Sequence, residues 1–212
     1  MRISVCRKVL LAGVFAGAAT SLLAQAQNAS VKTPASVDVG VTYAAERAQL
    51  APGNCGCFWL QGGGADVALT LWKGLGPSAS MTGAHISDYT DGVDINKISY
   101  MGGPRYTRTV WTRHAAGSRE GLHLQIFGEA LFGGVHAFDG AFPTSTGLKP
   151  AANSFALQAG GGINLFISGR IGVRLLQADY VRTQLPNNYS KSQNDLRVAF
   201  GVNYHFGSVP AM

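Results

Sequence analysis

Along most of the chain, large apolar residues alternate with small or polar ones at period two, the mark of strands whose two faces meet different surroundings. The last segment shows it best. Leu196, Val198, Phe200, Val202, Tyr204 and Phe206 fall on one face, and Arg197, Ala199, Gly201, Asn203 and His205 on the other. A strand of a soluble sandwich can alternate too, but an unbroken face of six large apolar or aromatic residues suits lipid, with a polar interior opposite. Residues 153–166 repeat the pattern, with Phe155, Leu157, Ala159, Ile163 and Leu165 against Ala156, Gln158, Gly160, Gly162 and Asn164. So do 121–137, where Leu122, Leu124, Ile126, Ala130 and Phe132 oppose His123, Gln125 and Glu129. Earlier, Val37, Val39, Val41 and Tyr43 oppose Asp38, Gly40, Thr42 and Ala44. In 95–108, Ile98, Tyr100 and Tyr106 oppose Lys97, Ser99, Arg105 and Thr107.

Three further segments are irregular. In 58–72, Phe58 and Leu60 have the opposite parity to Val67, Leu69 and Leu71, which predicts a bulge at Gly62-Gly63-Gly64. Residues 78–89 are small and polar. In 170–183, Ile171, Val173 and Leu175 share parity with Gln177 and Asp179, so this strand also needs a bulge or a loop-like upper end. Pro104 costs the fourth strand a ladder hydrogen bond. Short turns are expected at Lys73–Gly76 and Phe166–Arg170, and a longer one at Thr109–Glu120. Polar loops are expected at Glu46–Cys57, Asp88–Asp94, Asp139–Asn153 and Thr183–Asn194. Short periplasmic turns alternating with longer outer loops are the plan of a membrane barrel with both termini in the periplasm. The expected fold is all-β: an eight-stranded antiparallel transmembrane up-and-down β-barrel over residues 36–206.

The first 26 residues change the picture by adding a destination. Arg2, Arg7 and Lys8 precede an apolar run, Val9 to Leu23, that is short and rich in small residues; Ala24-Gln25-Ala26 then offers a signal-peptidase site. Residues 27–35 become a periplasmic N-terminal segment and 207–212 a C-terminal tail. Removing 26 of 212 residues takes three basic side chains, so the charge falls from +6 to +3. The remaining basic residues are scattered, which argues against nucleic acid as a partner. Only Cys55 and Cys57 of the three cysteines remain, in an oxidising setting, where a tight local disulfide or two structural thiols outweigh metal capture. No mature segment holds 18 consecutive apolar residues, so only a closed barrel satisfies the backbone in lipid.

The order Gly201-x-x-Tyr204-x-Phe206 resembles the signal by which outer-membrane assembly machinery recognises a last strand, with Ala199 in place of its usual polar residue. Over residues 36–206 the chain resembles the small outer-membrane β-barrel superfamily that includes the barrel of outer-membrane protein A and porin-like single-barrel proteins. Gly102-Gly103-Pro104-Arg105 and Cys55-Gly56-Cys57-Phe58-Trp59 look like recurring features of such barrels. The resemblance implies an outer-membrane location, contact with membrane lipid and lipopolysaccharide, and no cofactor. Relatives that bind peptidoglycan do so through a separate periplasmic domain, so that activity is not carried onto the barrel.

Asp38, Asp66, Glu129, Arg174, Asp179, Arg197 and Arg105 are the candidate interior charges. An eight-stranded barrel is only wide enough to be filled by side chains, and isolated buried charges are costly, so these groups are expected to pair. Arg174 is the expected bridge between Asp66 and Glu129. His85-Ile86-Ser87 places a base and a nucleophile on one face of the third strand, and membrane-embedded lipid A deacylases use a His-x-Ser pair on a barrel wall. Asp88 is adjacent but points the other way, and a strand end entering a polar loop accounts for the three residues. Tyr43, Trp72, Tyr100, Tyr106, Phe166, Tyr204 and Phe206 near strand ends are expected as interfacial girdle residues.

Three functions compete: a structural or surface-interaction barrel with a mostly plugged lumen, a small pore for ions or solutes, and a lipid A-modifying hydrolase in the barrel wall. A narrow lumen favours the first over the second. The third lacks a complete triad in the sequence, so no catalytic residue is assigned.

Overall fold

The computed structural model describes residues 36–49, 57–90, 93–114, 121–144, 147–186 and 192–207. The signal segment 1–26, the stretch 27–35, Cys55 and most of the C-terminal tail lie outside them. Eight strands follow in chain order: β1 (Ser36–Gln49), β2 (Cys57–Thr70), β3 (Leu75–Thr90), β4 (Val93–His114), β5 (Gly121–Thr144), β6 (Gly147–Phe166), β7 (Ile171–Thr183) and β8 (Gln193–Phe206). Each pairs antiparallel with the next. The ring closes where β8 returns to β1, with Val37 opposite Phe206 and Arg47 opposite Leu196.

Alternation becomes inside and outside. On β8, Arg197, Ala199, Asn203 and His205 are buried in the interior, while Leu196, Phe200, Val202 and Phe206 stand on the outer wall. Val41, Phe132, Phe155 and Tyr100 are each more than half exposed on that wall. An aqueous surface would not sustain so much apolar area; a hydrocarbon surface favours it.

The bulge predicted in β2 is absent. Its register with β1 runs unbroken from Thr70 opposite Ser36 to Cys57 opposite Gln49. Leu60 therefore faces inward, 2% exposed, on the same side as Asp66. The parity conflict arose from reading every apolar residue as lipid-facing. The upper interior has an apolar patch of its own: Met101, Leu131, Val135, Ala137 and Ala156 pack with Phe142 and Leu185. Phe166 is a second correction of the same kind. At 3% exposure it lies inside the barrel with the parity of Asn164, beside His123 and His205, and is not a girdle residue.

In β7 a register shift falls between Arg174 and Gln177, and both Leu175 and Leu176 face out. That bulge lets Ile171, Val173 and Leu175 share a wall while Gln177 and Asp179 turn inward. At Pro104 the ladder is interrupted without a shift: Gly102 pairs with Phe132 and Arg105 with Glu129, in one register.

Strand extends into two expected connections. β4 runs on to His114 through a bulge at Thr109/Trp111, so the turn expected at 109–120 is shorter. The loop expected at 139–153 is a paired ribbon, with Phe142 opposite Lys149 and Thr144 opposite Gly147. Backbone pairing here continues past the end of the alternation. At the tight turn after β2, Lys73 and Gly74 adopt φ of 49° and 89°. Gly74 also accepts a hydrogen bond from Thr107 N at 2.7 Å, tying the turn to β4.

Candidate functional site

Inward positions on six strands meet at mid-height. Asp66 comes from β2, Arg105 from β4, Phe127 and Glu129 from β5, Gln158 from β6, Arg174 and Gln177 from β7, and Gly40 from β1. Arg174 Nη1 donates to Asp66 Oδ1 at 2.6 Å and Nη2 to Oδ2 at 3.1 Å, a two-pronged contact. Arg105 Nη1 donates to the same Oδ2 at 2.8 Å, while its Nε reaches Glu129 Oε2 at 2.7 Å. Arg105, not Arg174, is thus the bridge between the two carboxylates. The parity rule gave both arginines as inward, but which one reaches Glu129 is decided by neighbouring position: Arg105 lies directly opposite Glu129 on the β4–β5 ladder.

The guanidinium groups share an aromatic floor. Arg105 Cζ is 4.6 Å and Arg174 Cζ 4.9 Å from the Phe127 ring centroid. Cation–π attraction at these distances favours both charges in a site that water barely reaches. Amide side chains add further hydrogen bonds. Gln158 and Gln177 donate to Glu129 Oε1, and Asn164 Oδ1 accepts from Arg174 Nε. Gly40 makes the closure possible on the β1 side. A Cβ there would lie 2.6 Å from Asp66 Oδ1 and 3.1 Å from Arg174 Nη2.

Further ion pairs lie along the interior, the first joined to this network through Gln177, whose Nε2 donates to Asp179 Oδ2 at 2.9 Å. Arg197 pairs with Asp179 at 2.9 Å and donates to Thr82 Oγ1 at 3.1 Å. Nearer the β1–β2 end, Lys97 pairs with Glu46 and, at 3.3 Å, with Asp195. Lys97 lies on the face expected to be polar, whereas Glu46 and Asp195 fall in or beside segments expected to be loops; inward parity continued along β1 and β8 is the sequence signal for its partners. At the opposite end Asp38 Oδ1 lies 2.7 Å from His205 Nδ1.

The remaining candidates lie elsewhere. Cys57 pairs through its backbone with Gln49, and Cys55 is outside the described residues. Tyr204 and Phe206 share the outer wall, with ring centroids 4.5 Å apart, and Gly201 faces inward between them and Ala199. His85 and Ser87 also stand on the outer wall, and His85 Nε2 is 2.8 Å from Ser87 Oγ. Asn96 and Asp139 join that pair through further hydrogen bonds. Neither was distinguishable in the sequence, because their approach depends on β3–β4–β5 register.

No protein-family model and no curated protein sequence matches the chain. Solved structures do. The crystal structure of Neisserial surface protein A aligns with a TM-score of 0.50 at 12% identity, covering 81% of this chain and 97% of that one. The crystal structure of the attachment invasion locus protein of Yersinia pestis gives 0.48 at 13% identity, covering 82% and 100%. The outer membrane protein OprG from Pseudomonas aeruginosa gives 0.43 at 11%, covering 82% and 95%. With its closed ring and apolar outer wall, the chain has the fold of the small eight-stranded outer-membrane β-barrels.

Proposed function

We propose that the protein is a structural or surface-interaction barrel of the outer membrane whose lumen is plugged by its own side chains. The mid-height ion network carries this reading. Six charged groups, three carboxylates (Asp66, Glu129 and Asp179) balanced by three arginines (Arg105, Arg174 and Arg197), bridge the interior with amides between them. Arg174, at the centre of the contacts with Asp66, is 1% exposed, which supports a closed interior. Above it, Phe142 and Leu185 pack onto the apolar patch beneath the outer ribbon. A path for hydrated ions would need these groups parted, and breaking buried pairs is costly.

With the lumen closed, contact with the surroundings falls to the wall and the outer connections. The wall meets membrane lipid, lipopolysaccharide lies beside its outer edge, and the β5–β6 ribbon, with Leu148 71% exposed, offers itself to a surface partner. During biogenesis, Gly201, Tyr204 and Phe206 would be read by the barrel assembly machinery. The test is conductance. Purified barrel in planar bilayers should give no steady ohmic current; a large, ion-selective current from the native protein would replace this reading with a small pore.

A further inference from the structure

At the outer end of β3 four polar side chains form a hydrogen-bonded relay that takes no part in the interior. Ser87 Oγ is 2.8 Å from His85 Nε2, His85 Nδ1 is 2.9 Å from Asn96 Oδ1, and Asn96 Nδ2 donates to Asp139 Oδ2 at 2.8 Å. The fold assembles them from three strands. Residues 85 and 87 share the outward face of β3, and Asn96 lies directly opposite His85 on β4. Asp139 follows Phe138, the partner of Asn96 on β5, and its φ of 61° breaks the alternation that would have turned it inward. A non-glycine residue in the left-handed region signals a conformation fixed by its surroundings.

The direction of each bond is dictated from the acid end. A carboxylate only accepts, so the Asn96 amide must present Nδ2 to Asp139 and Oδ1 to His85. His85 must then carry its proton on Nδ1, leaving the Nε2 lone pair for the Ser87 hydroxyl. This is the tautomer and the geometry required of a general base beside a nucleophile, with an amide in the orienting place.

Depth supplies the substrate class. Ten residues separate His85 from Leu75 at the opposite turn, and a strand tilted by about 40° rises about 25 Å over that length, the height of a barrel's apolar band. The relay therefore stands at the outer boundary of the hydrocarbon, where the acyl esters of membrane lipids meet water. Just below it the wall is recessed. Gly63 and Gly83 pair side by side, and a Cβ at Gly83 would meet nothing within 4 Å. Tyr43 stands opposite Gly63 on one flank and Ile98 opposite Gly83 on the other. An acyl chain laid in this recess would bring its ester carbonyl up to Ser87.

We infer that this wall is an esterase site for the acyl esters of outer-leaflet lipids, with Ser87 as nucleophile, His85 as base and Asn96 as a positioning residue. Ser87 Oγ attacks the ester carbonyl carbon as His85 Nε2 takes its proton. The carbon–oxygen bond to the lipid alcohol breaks, and His85 returns that proton to the departing alkoxide. Water from the interface then attacks the acyl-serine, giving its proton to His85, and the free fatty acid leaves as Ser87 regains its hydrogen. The site does not depend on the state of the lumen, so it stands or falls separately from the plug.

The full-length folded barrel, its folding checked by the mobility of unboiled protein, should release fatty acid from lipopolysaccharide or from vesicles of phosphatidylethanolamine and phosphatidylglycerol. Which of the two is cleaved identifies the lipid. A fluorophosphonate should label Ser87. Ser87→Ala and His85→Ala should lower release by at least about 100-fold, the scale of losing a nucleophile or its base. Asn96→Leu should lower kcat with little change in KM, because the recess is untouched. Gly83→Leu should suppress long-chain cleavage while p-nitrophenyl acetate is still hydrolysed. Folded protein that cleaves neither lipid and resists labelling overturns the assignment, as does release that persists in Ser87→Ala.

Discussion

Phe127 occupies a position that alternation alone marks as polar, flanked in parity by Gln125 and Glu129. Its ring lies against two guanidinium groups and gives them a face that neither hydrates nor competes for their donors. The identity of each interior residue is thus set by its neighbours across the lumen, while that of each wall residue is set by lipid. The contrast is testable on adjacent residues. Phe200 is 58% exposed on the wall and Ala199 is 2% exposed inside. Phe200→Arg should cost about 2–4 kcal/mol if it sits near the bilayer midplane, whereas Ala199→Ser adds one hydroxyl among polar groups and should be nearly silent. Urea titration of the folded barrel in lipid vesicles measures both. Equal losses would mean that the two faces do not differ as the burial indicates.

Strands are where sequence reading was strongest and also where it failed. Period two settled the faces of β1, β4, β5, β6 and β8, since a closed barrel leaves only two environments and a side chain must take one. β2 misled because Phe58 and Leu60 serve the upper interior, and nothing local distinguishes an apolar residue beneath a loop from one in lipid. Strand ends were hidden for another reason: the ribbons at 109–114 and 139–151 are held by backbone pairing, which leaves no hydrophobic period. Within the candidate site, the charged members were legible by parity. Their partners were not, because reach across the lumen depends on the stagger of the strands. The turn between β2 and β3 gives a prediction at this scale. Gly74 has φ of 89°, and a Cβ there would run into the Thr107 carbonyl oxygen. Gly74→Ala should therefore lower stability by about 1–2 kcal/mol, with Lys73→Ala much milder because that residue already carries a Cβ. Midpoints of urea-induced loss of heat-modifiable mobility would show the order; a harmless Gly74→Ala would mean that the turn relaxes freely.

For the molecule as a whole, the interior network links strands that are not neighbours in the sheet, and so adds to closure what the ladders alone do not supply. Arg105 and Arg174 let this contribution be divided. Arg174→Met removes the two-pronged contact on Asp66, but Arg105 still holds that carboxylate at 2.8 Å. Arg105→Met leaves Asp66 to Arg174 and leaves Glu129, among the described contacts, with only the amides of Gln158 and Gln177. Breaking a buried pair by removing one partner costs on the order of 3–5 kcal/mol, because the charge left behind is poorly solvated. Arg174→Met should fall at the low end of that range and Arg105→Met at the high end. The double variant should lose more than the two single losses added together, since each single variant keeps one arginine on Asp66 and the double variant keeps neither. Urea midpoints of the three variants in vesicles give the order, and bilayer recordings on the same preparations give the current. If all three midpoints match the native protein while ion selectivity shifts, water already solvates these charges, and the interior is a hydrated channel rather than a plug.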